Sequence, residues 1–145
     1  MGERFYSRMI CGVLLAMIVT ALPSVALAYS MDIANPYRDK MFVAVIDFED
    51  QAGAWRSYGW FLVNPLSTRR INVPSSTRGK YVYLYVKTSE ARWSGEGLKE
   101  SIVRTVIASE FKYYDGQTCP PGPERREAFF ARYDLEDGFL YWSPE

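Results

Sequence analysis

The sequence predicts an all-β fold, a small antiparallel β-sandwich of about seven strands. Short segments rich in β-branched and aromatic residues recur along the chain, separated about every eight to twelve positions by turn residues. One of them, Tyr81–Lys87, alternates between tyrosines and aliphatic residues, and this period of two is typical of a strand. Together these two patterns favour a sandwich or small barrel over a helical fold.

The composition argues against several classes of function. A chain of 145 residues fits one domain. Lys and Arg together number 17, as do Asp and Glu, so the net charge is zero and gives no electrostatic reason to expect a nucleic acid partner. Histidine is absent, which removes the commonest general base and metal ligand. We therefore predict no catalytic residues, no metal and no cofactor.

Residues 1–28 are predicted to be a signal peptide. Arg4 and Arg8 precede the uncharged apolar run Met9–Thr20, and small residues at Ala26 and Ala28 fit a cleavage site. The alternative is an uncleaved anchor, because residues 9–28 are just long enough to span a bilayer. Cleavage after Ala28 predicts an exported protein (periplasmic, cell-surface or extracellular) with no membrane span.

Cleavage would leave one cysteine. Cys11 lies inside the signal, so Cys119 has no partner in its own chain. It is predicted to be a buried or idle thiol, and the alternative is an intermolecular bridge. One cysteine without histidine also argues against a metal site.

The mature chain is predicted to begin with a polar lead-in, residues 29–40, that contains the turn signal Asn35-Pro36. A single domain, residues 41–145, follows. Its first strand is predicted over Met41–Phe48, with Phe42, Ala44, Ile46 and Phe48 on one face. Two more strands are predicted over Ser57–Val63 and Thr68–Val73.

The strand Tyr81–Lys87 places Val82, Leu84 and Val86 on one face and three tyrosines on the other. We predict that the aliphatic face is core. The tyrosine face is either a second packed layer or a half-exposed aromatic strip.

The C-terminal part is more ambiguous. Within Leu98–Phe111 the spacing of some apolar residues fits a helix, but the β-branched run over residues 102–107 favours a strand. Phe111–Tyr114 is a short apolar stretch. Ala128–Tyr133 and Phe139–Trp142 are predicted to pair as a hairpin through a turn at Asp137-Gly138.

Several short aromatic motifs occur in a fixed order: Val-Ala-Val at 43–45, Gly-Trp-Phe-Leu-Val at 59–63, the tyrosine-rich strand, Trp-Ser-Gly at 93–95 and Phe-Lys-Tyr-Tyr-Asp-Gly-Gln-Thr-Cys at 111–119. This order resembles the exported bacterial domains of unknown function grouped as DUF1036. The resemblance covers about Met41 to Tyr133. It implies a small exported β domain and supplies no activity or catalytic residues.

Four aromatic residues in or beside predicted loops are candidate binding residues: Trp55, Tyr58, Trp60 and Trp93. Flat rings with hydrogen-bonding neighbours stack on sugars or anchor a protein partner. The alternative interpretation is that these rings cap the ends of the sandwich core. We therefore expect a non-enzymatic binding or envelope-associated module, whose partner would be an envelope protein or a glycan.

The second functional hypothesis is an enzyme or inhibitor that acts on cell-wall material through loop carboxylates. Acid–base hydrolysis needs two carboxylates at a set separation, and Glu49, Asp50, Glu90, Glu96 and Glu110 are available. Solvated loop charge is the ordinary explanation for them. Asp47 interrupts an apolar strand, so it is expected to face solvent at a sheet edge or to pair with a nearby arginine.

Overall fold

The computed structural model describes residues 29–73 and 80–145, and in this part of the chain it is all-β. Its ten strands are β1 (Tyr29–Asn35), β2 (Met41–Glu49), β3 (Ala54–Val63), β4 (Ser67–Val73), β5 (Tyr81–Lys87), β6 (Arg92–Trp93), β7 (Ser101–Val106), β8 (Phe111–Tyr114), β9 (Arg126–Asp134) and β10 (Phe139–Trp142). The predicted fold class is confirmed. The predicted signal peptide, with Ala26 and Ala28, lies outside the described residues.

The strands form two sheets. A small sheet has the order β10-β1-β4, and a larger sheet has the order β7-β9-β5-β2-β3-β8, with β6 paired to β5. Neighbouring strands are antiparallel except β1 and β10, which are parallel. No helix in the described ranges is long and apolar enough to cross a membrane.

One core lies between the two sheets. Val82, Leu84 and Val86 of β5 are buried in it, together with Met31 and Ile33 of β1. The burial of these side chains confirms the predicted aliphatic core face of β5. We name the whole cluster of buried side chains between the two sheets the aliphatic core.

A second core lies on the opposite, concave face of the large sheet. Tyr85 of β5 is buried there with Ala44 and Ile46 of β2, and Phe111 and Phe130 pack beside them. Tyr81 and Tyr83 are half-buried, so the tyrosine face of β5 is a packed layer at one end and partly exposed at the other. We name the whole cluster of buried side chains on this concave face the aromatic core.

The edge strands of the large sheet approach each other across the concave face. The Tyr113 hydroxyl on β8 donates to the Thr105 carbonyl on β7 at 2.7 Å, and Arg104 forms an ion pair with Asp115 at 2.9 Å. The Trp60 indole also donates to the Ile107 carbonyl at 2.8 Å. These contacts hold the sheet in a curl around the aromatic core.

The predicted polar lead-in forms a strand over most of its length. Residues 29–35 are β1, which lies between β4 and β10 in the small sheet. Met31, Ile33 and Asn35 are buried while Ser30, Asp32 and Ala34 are half-buried, the alternation of a strand with one covered face. Residues 29–35 therefore belong to the small sheet.

The predicted hairpin of the last two strands is wrong. β9 pairs with β5 and β7 in the large sheet, whereas β10 pairs with β1 in the small sheet. The turn itself exists: Asp137 and Gly138 both have positive φ, 50° and 78°, and Glu136 and Phe139 form an isolated bridge around it. Leu135 is buried in the aliphatic core, so the chain crosses between sheets there.

The structure decides between the alternative interpretations of residues 101–106 and of Asp47. Residues 101–106 form β7, which confirms the preference for a strand over a helix. Asp47 is 2% exposed and lies on β2, a central strand of the large sheet. It pairs with Arg56 at 2.9 Å, so the arginine interpretation is confirmed and the solvent-facing one is wrong.

Cys119 is buried in the aromatic core and is the free cysteine of the described residues. Burial raises the pKa of its thiol, which lowers the thiolate fraction and hence the reactivity. Burial matches the predicted inert thiol.

Candidate functional site

The candidate site begins with the loop after β1, which a buried asparagine holds in place. The Asn35 side chain is 1% exposed and its amide donates to the carbonyls of Asp39, Val63 and Asn64 at 2.8, 3.1 and 3.2 Å. Its carbonyl oxygen accepts from the Tyr37 backbone N–H at 3.0 Å. A buried amide with this many partners fixes the path of residues 36–39.

A second loop, residues 88–91, is tied to the first by one carboxylate. Asp39 accepts hydrogen bonds from the Ser89 backbone N–H at 2.9 Å and from the Ser89 hydroxyl. It also accepts from the Lys40 N–H at 2.8 Å. The bonds from Ser89 hold the pKa of Asp39 below its usual range. This carboxylate stays ionised and acts as a cross-link between two loops.

Between the two loops lies a cleft of about 610 Å³, which we name the aromatic cleft. Its walls are residues 37–39 on one side and residues 88–91 with Trp93 on the other. The Tyr37 and Trp93 rings are stacked, with centroids 5.7 Å apart and planes inclined by 20°. Since both loops are cross-linked, the cleft is formed before any ligand arrives.

The stacked rings of the aromatic cleft contact a further ring inside the domain. Trp93 meets Trp142 edge to face at 6.1 Å, and Trp142 is 6% exposed in the aliphatic core. Tyr37 at the outer end is 38% exposed. The outermost ring therefore presents apolar surface to solvent while its inner neighbours are anchored by packing.

The four predicted binding residues do not form one patch. Trp93 lines the aromatic cleft. Trp60 lies on the concave face, where the Lys87 ammonium sits 4.4 Å from its ring centroid. Trp55 stacks on Tyr81 at 5.3 Å and contacts the ring of Tyr83. These two tryptophans pack against the aromatic core.

Tyr58 lies on the other face of β3, among buried charges. Its hydroxyl donates to the Asp47 carboxylate, which also accepts from Arg56 Nε at 3.1 Å. Burial and the nearby Asp47 charge raise the pKa of Tyr58 well above its usual range. The carboxylate, guanidinium and phenol satisfy one another in a closed network, which stabilises this end of the aliphatic core and offers no reactive group.

The candidate carboxylates are scattered as well. Glu49 accepts from the Tyr114 hydroxyl, and Glu90 lines the aromatic cleft. Glu96 and Glu110 are exposed. In the described ranges no group of three or more potential metal-binding side chains gathers at one place.

Sequence reasoning missed Tyr37, Arg38 and Asp39, three of the cleft residues. They follow the Asn35-Pro36 turn signal, within the segment interpreted as a lead-in. An aromatic residue beside such a turn was the available signal. Its stacking partner lies far away in sequence, so the pairing depends on the tertiary fold.

Comparisons of the chain with protein-family models, with curated proteins and with solved structures find no match.

Proposed function

We propose that this protein is a non-enzymatic binding module and that the aromatic cleft holds a sugar ring of a glycan. The observation that carries the proposal is the stacked Tyr37–Trp93 pair with its exposed outer ring. Sugars present apolar C–H faces that pack on aromatic rings, and their hydroxyls need hydrogen-bonding partners around the rim. Arg38, Ser89 and Glu90 line the same cleft and supply donors and acceptors of that kind.

Binding is favoured over hydrolysis by the chemistry of the cleft carboxylates. A general acid at neutral pH needs a raised pKa, whereas the hydrogen bonds from Ser89 lower the pKa of Asp39. Both of its oxygens already accept hydrogen bonds, Oδ2 from Ser89 of the second loop and Oδ1 from the Lys40 N–H. Asp39 is therefore unsuited to act as the general acid beside Glu90 in this cleft.

The proposed location is outside the cytoplasm, after cleavage at Ala28. That cleavage would keep β1, which is described from Tyr29, in the mature chain. The intact mass of the exported protein should correspond to a chain beginning at Tyr29. Full-length chain in the membrane fraction would contradict cleavage and support an anchor. Relationship to the DUF1036 domains stays a prediction from the motif order.

The binding proposal is tested by titrating the mature domain with a soluble N-acetylglucosamine tetramer and following tryptophan fluorescence. Tyr37→Ala removes the exposed ring and should weaken binding about 3- to 10-fold, the usual range for one aromatic contact. The matched control is Tyr141→Ala, because Tyr141 is 61% exposed on β10 and does not line the cleft. Equal losses in both variants, or no binding to this or other cell-wall oligosaccharides, would contradict the proposal.

A further inference from the structure

A second cleft opens on the other side of the loop formed by residues 88–91. It has a volume of about 260 Å³ and is lined by Tyr85, Lys87, Arg92 and Arg126 together with that loop. Lys87 follows Tyr85 at the strand period of two, and Arg126 precedes Ala128 and Phe130 in the same way. Both cations therefore lie on the concave face of the large sheet, at the end where β5 stops and β9 begins. We name this the cationic cleft.

The cationic cleft has an excess of positive charge. Three cationic side chains and one carboxylate, Glu90, line it. Within residues 29–73 and 80–145, the ion pairs involve Arg56, Arg70, Arg104 and Arg132 and none of the three cleft cations. The four paired arginines lie elsewhere in the domain. The cleft cations therefore differ from these four arginines in having no ion-pair partner among the described residues.

The strand register itself brings like charges together. Lys87 on β5 lies directly opposite Arg92 on β6, and opposed like charges destabilise a strand pair. Burial lowers the pKa of Lys87, the positive charge of Arg126 lowers it further, and the negative charge of Glu124 opposes them in part. An anion bound between Lys87 and Arg126 would offset this repulsion.

Aromatic rings hold two of the cations in position. The Lys87 ammonium lies 4.4 Å from the Trp60 ring centroid, and the Arg126 guanidinium lies 5.8 Å from that of Tyr85. Arg126 also donates to the Tyr85 hydroxyl at 3.3 Å. Tyr85 is 2% exposed, so its ring is a fixed support. Ordered cations lose less conformational freedom when they bind a ligand.

We propose that the cationic cleft binds the oxyanion of a small molecule, a phosphate or a carboxylate group. Lys87 and Arg126 donate charge-assisted hydrogen bonds to it, and Arg92 closes the rim. Guanidinium and ammonium groups are the side chains that recognise both kinds of oxyanion. Trp60 beneath Lys87 makes the site observable, since its indole N–H would respond to a change in the ammonium position.

The test uses the mature domain with two probes, inorganic phosphate and succinate, titrated separately. Binding is followed by the NMR shifts of the Trp60 indole N–H and the Arg126 Nε–H, and the affinity is measured by calorimetry. We expect saturable shifts with at least one probe, and the tighter probe identifies the oxyanion. Raising the salt concentration should weaken the binding. No saturable shift with either probe would overturn the proposal.

Lys87→Gln and Arg126→Gln should each weaken binding about tenfold, the usual worth of one charge-assisted bond. Arg126→Lys keeps the charge and should retain part of the affinity. The matched control is Lys112→Gln, since Lys112 is also a strand lysine near an aromatic ring, 5.7 Å from the Tyr114 centroid, but outside the cleft. Equal weakening in the control and the cleft variants would overturn the assignment. Denaturation midpoints at or above that of the unmodified domain show that each variant folds.

This site is independent of the proposed glycan cleft. Tyr37→Ala should leave the phosphate and succinate titrations unchanged, and Arg126→Gln should leave tetramer binding unchanged. Failure of one proposal is thus distinguishable from failure of the other, although residues 88–91 line both clefts.

Discussion

The two cores of this domain lie on opposite faces of the same strands but are built differently. The aliphatic core is formed mainly by branched side chains between two sheets, and its central members are almost completely buried. The aromatic core uses rings whose polar tips donate hydrogen bonds, as Tyr113 and Trp60 do to β7 and the residue after it. The difference indicates that one core supplies stability by burial, whereas the other also holds the curl of the large sheet.

The largest loss of stability is expected when the buried pair of Asp47 and Arg56 is broken. Asp47→Ala leaves Arg56, whose side chain is 14% exposed, without its partner, and such a loss costs about 3–5 kcal/mol. The double variant Asp47→Ala/Arg56→Met should recover part of this, because apolar replacement of a buried pair is often neutral, while the Tyr58 hydroxyl still loses its acceptor. Chemical denaturation measures both.

The control for Asp47 is the exposed pair Arg70–Asp32, in which the arginine side chain is 61% exposed. Asp32→Ala should cost less than about 1 kcal/mol, the usual worth of a surface pair. Similar costs for Asp32→Ala and Asp47→Ala would show that burial does not distinguish the two pairs.

Leu84→Ala tests the aliphatic core at its centre. Leu84 is 1% exposed, and loss of its buried methyl groups leaves a cavity that costs about 2–5 kcal/mol. Urea unfolding should show this as a lower midpoint with an unchanged slope. A loss smaller than that of Tyr83→Phe on the opposite face would refute the assignment of the faces.

Tyr113→Phe tests a hydrogen bond of the aromatic core. It keeps the ring in the core and removes only the hydroxyl that donates to Thr105, so we expect a loss of about 1 kcal/mol. Hydrogen exchange should increase more in β7 and β8 than in β2 and β5, because the hydroxyl joins the two edge strands. Uniform acceleration across the sheet would argue against a local role in the curl.

Tyr83→Phe is expected to have the smallest effect, below about 0.5 kcal/mol, the usual limit for a surface change. Tyr83 is half-buried and contacts Trp55 through its ring, which phenylalanine preserves. Denaturation of this variant alongside Tyr113→Phe separates a hydroxyl that bonds to the backbone from one at the exposed end of the same layer.

Local pattern was enough to predict the strands that carry their own period. β5 alternates over its whole length, so its bounds and its core face followed from the residues. β1 alternates too, with Met31 and Ile33 inward, but polar neighbours and a following proline favoured a lead-in. Its identity as a strand depends on cover from β4 and β10, which no local pattern reveals.

The hairpin error has a similar cause. Asp137-Gly138 does form a turn, and a turn between two apolar runs usually joins paired strands. Which sheet each run joins depends on where Leu135 is buried. The aromatic cleft was missed for the same reason, since Tyr37 and Trp93 meet only through hydrogen bonds between loops distant in sequence.

The parallel pairing of β1 with β10 has a consequence for the order of folding. The first and last described strands must meet before the small sheet is complete, and contacts between distant parts of a chain form slowly because they close a long loop. The larger sheet also needs β9, late in the chain, beside β5. A nascent chain lacking its final strand would leave the aliphatic core without Trp142, so we expect complete folding only after the whole domain has been synthesised.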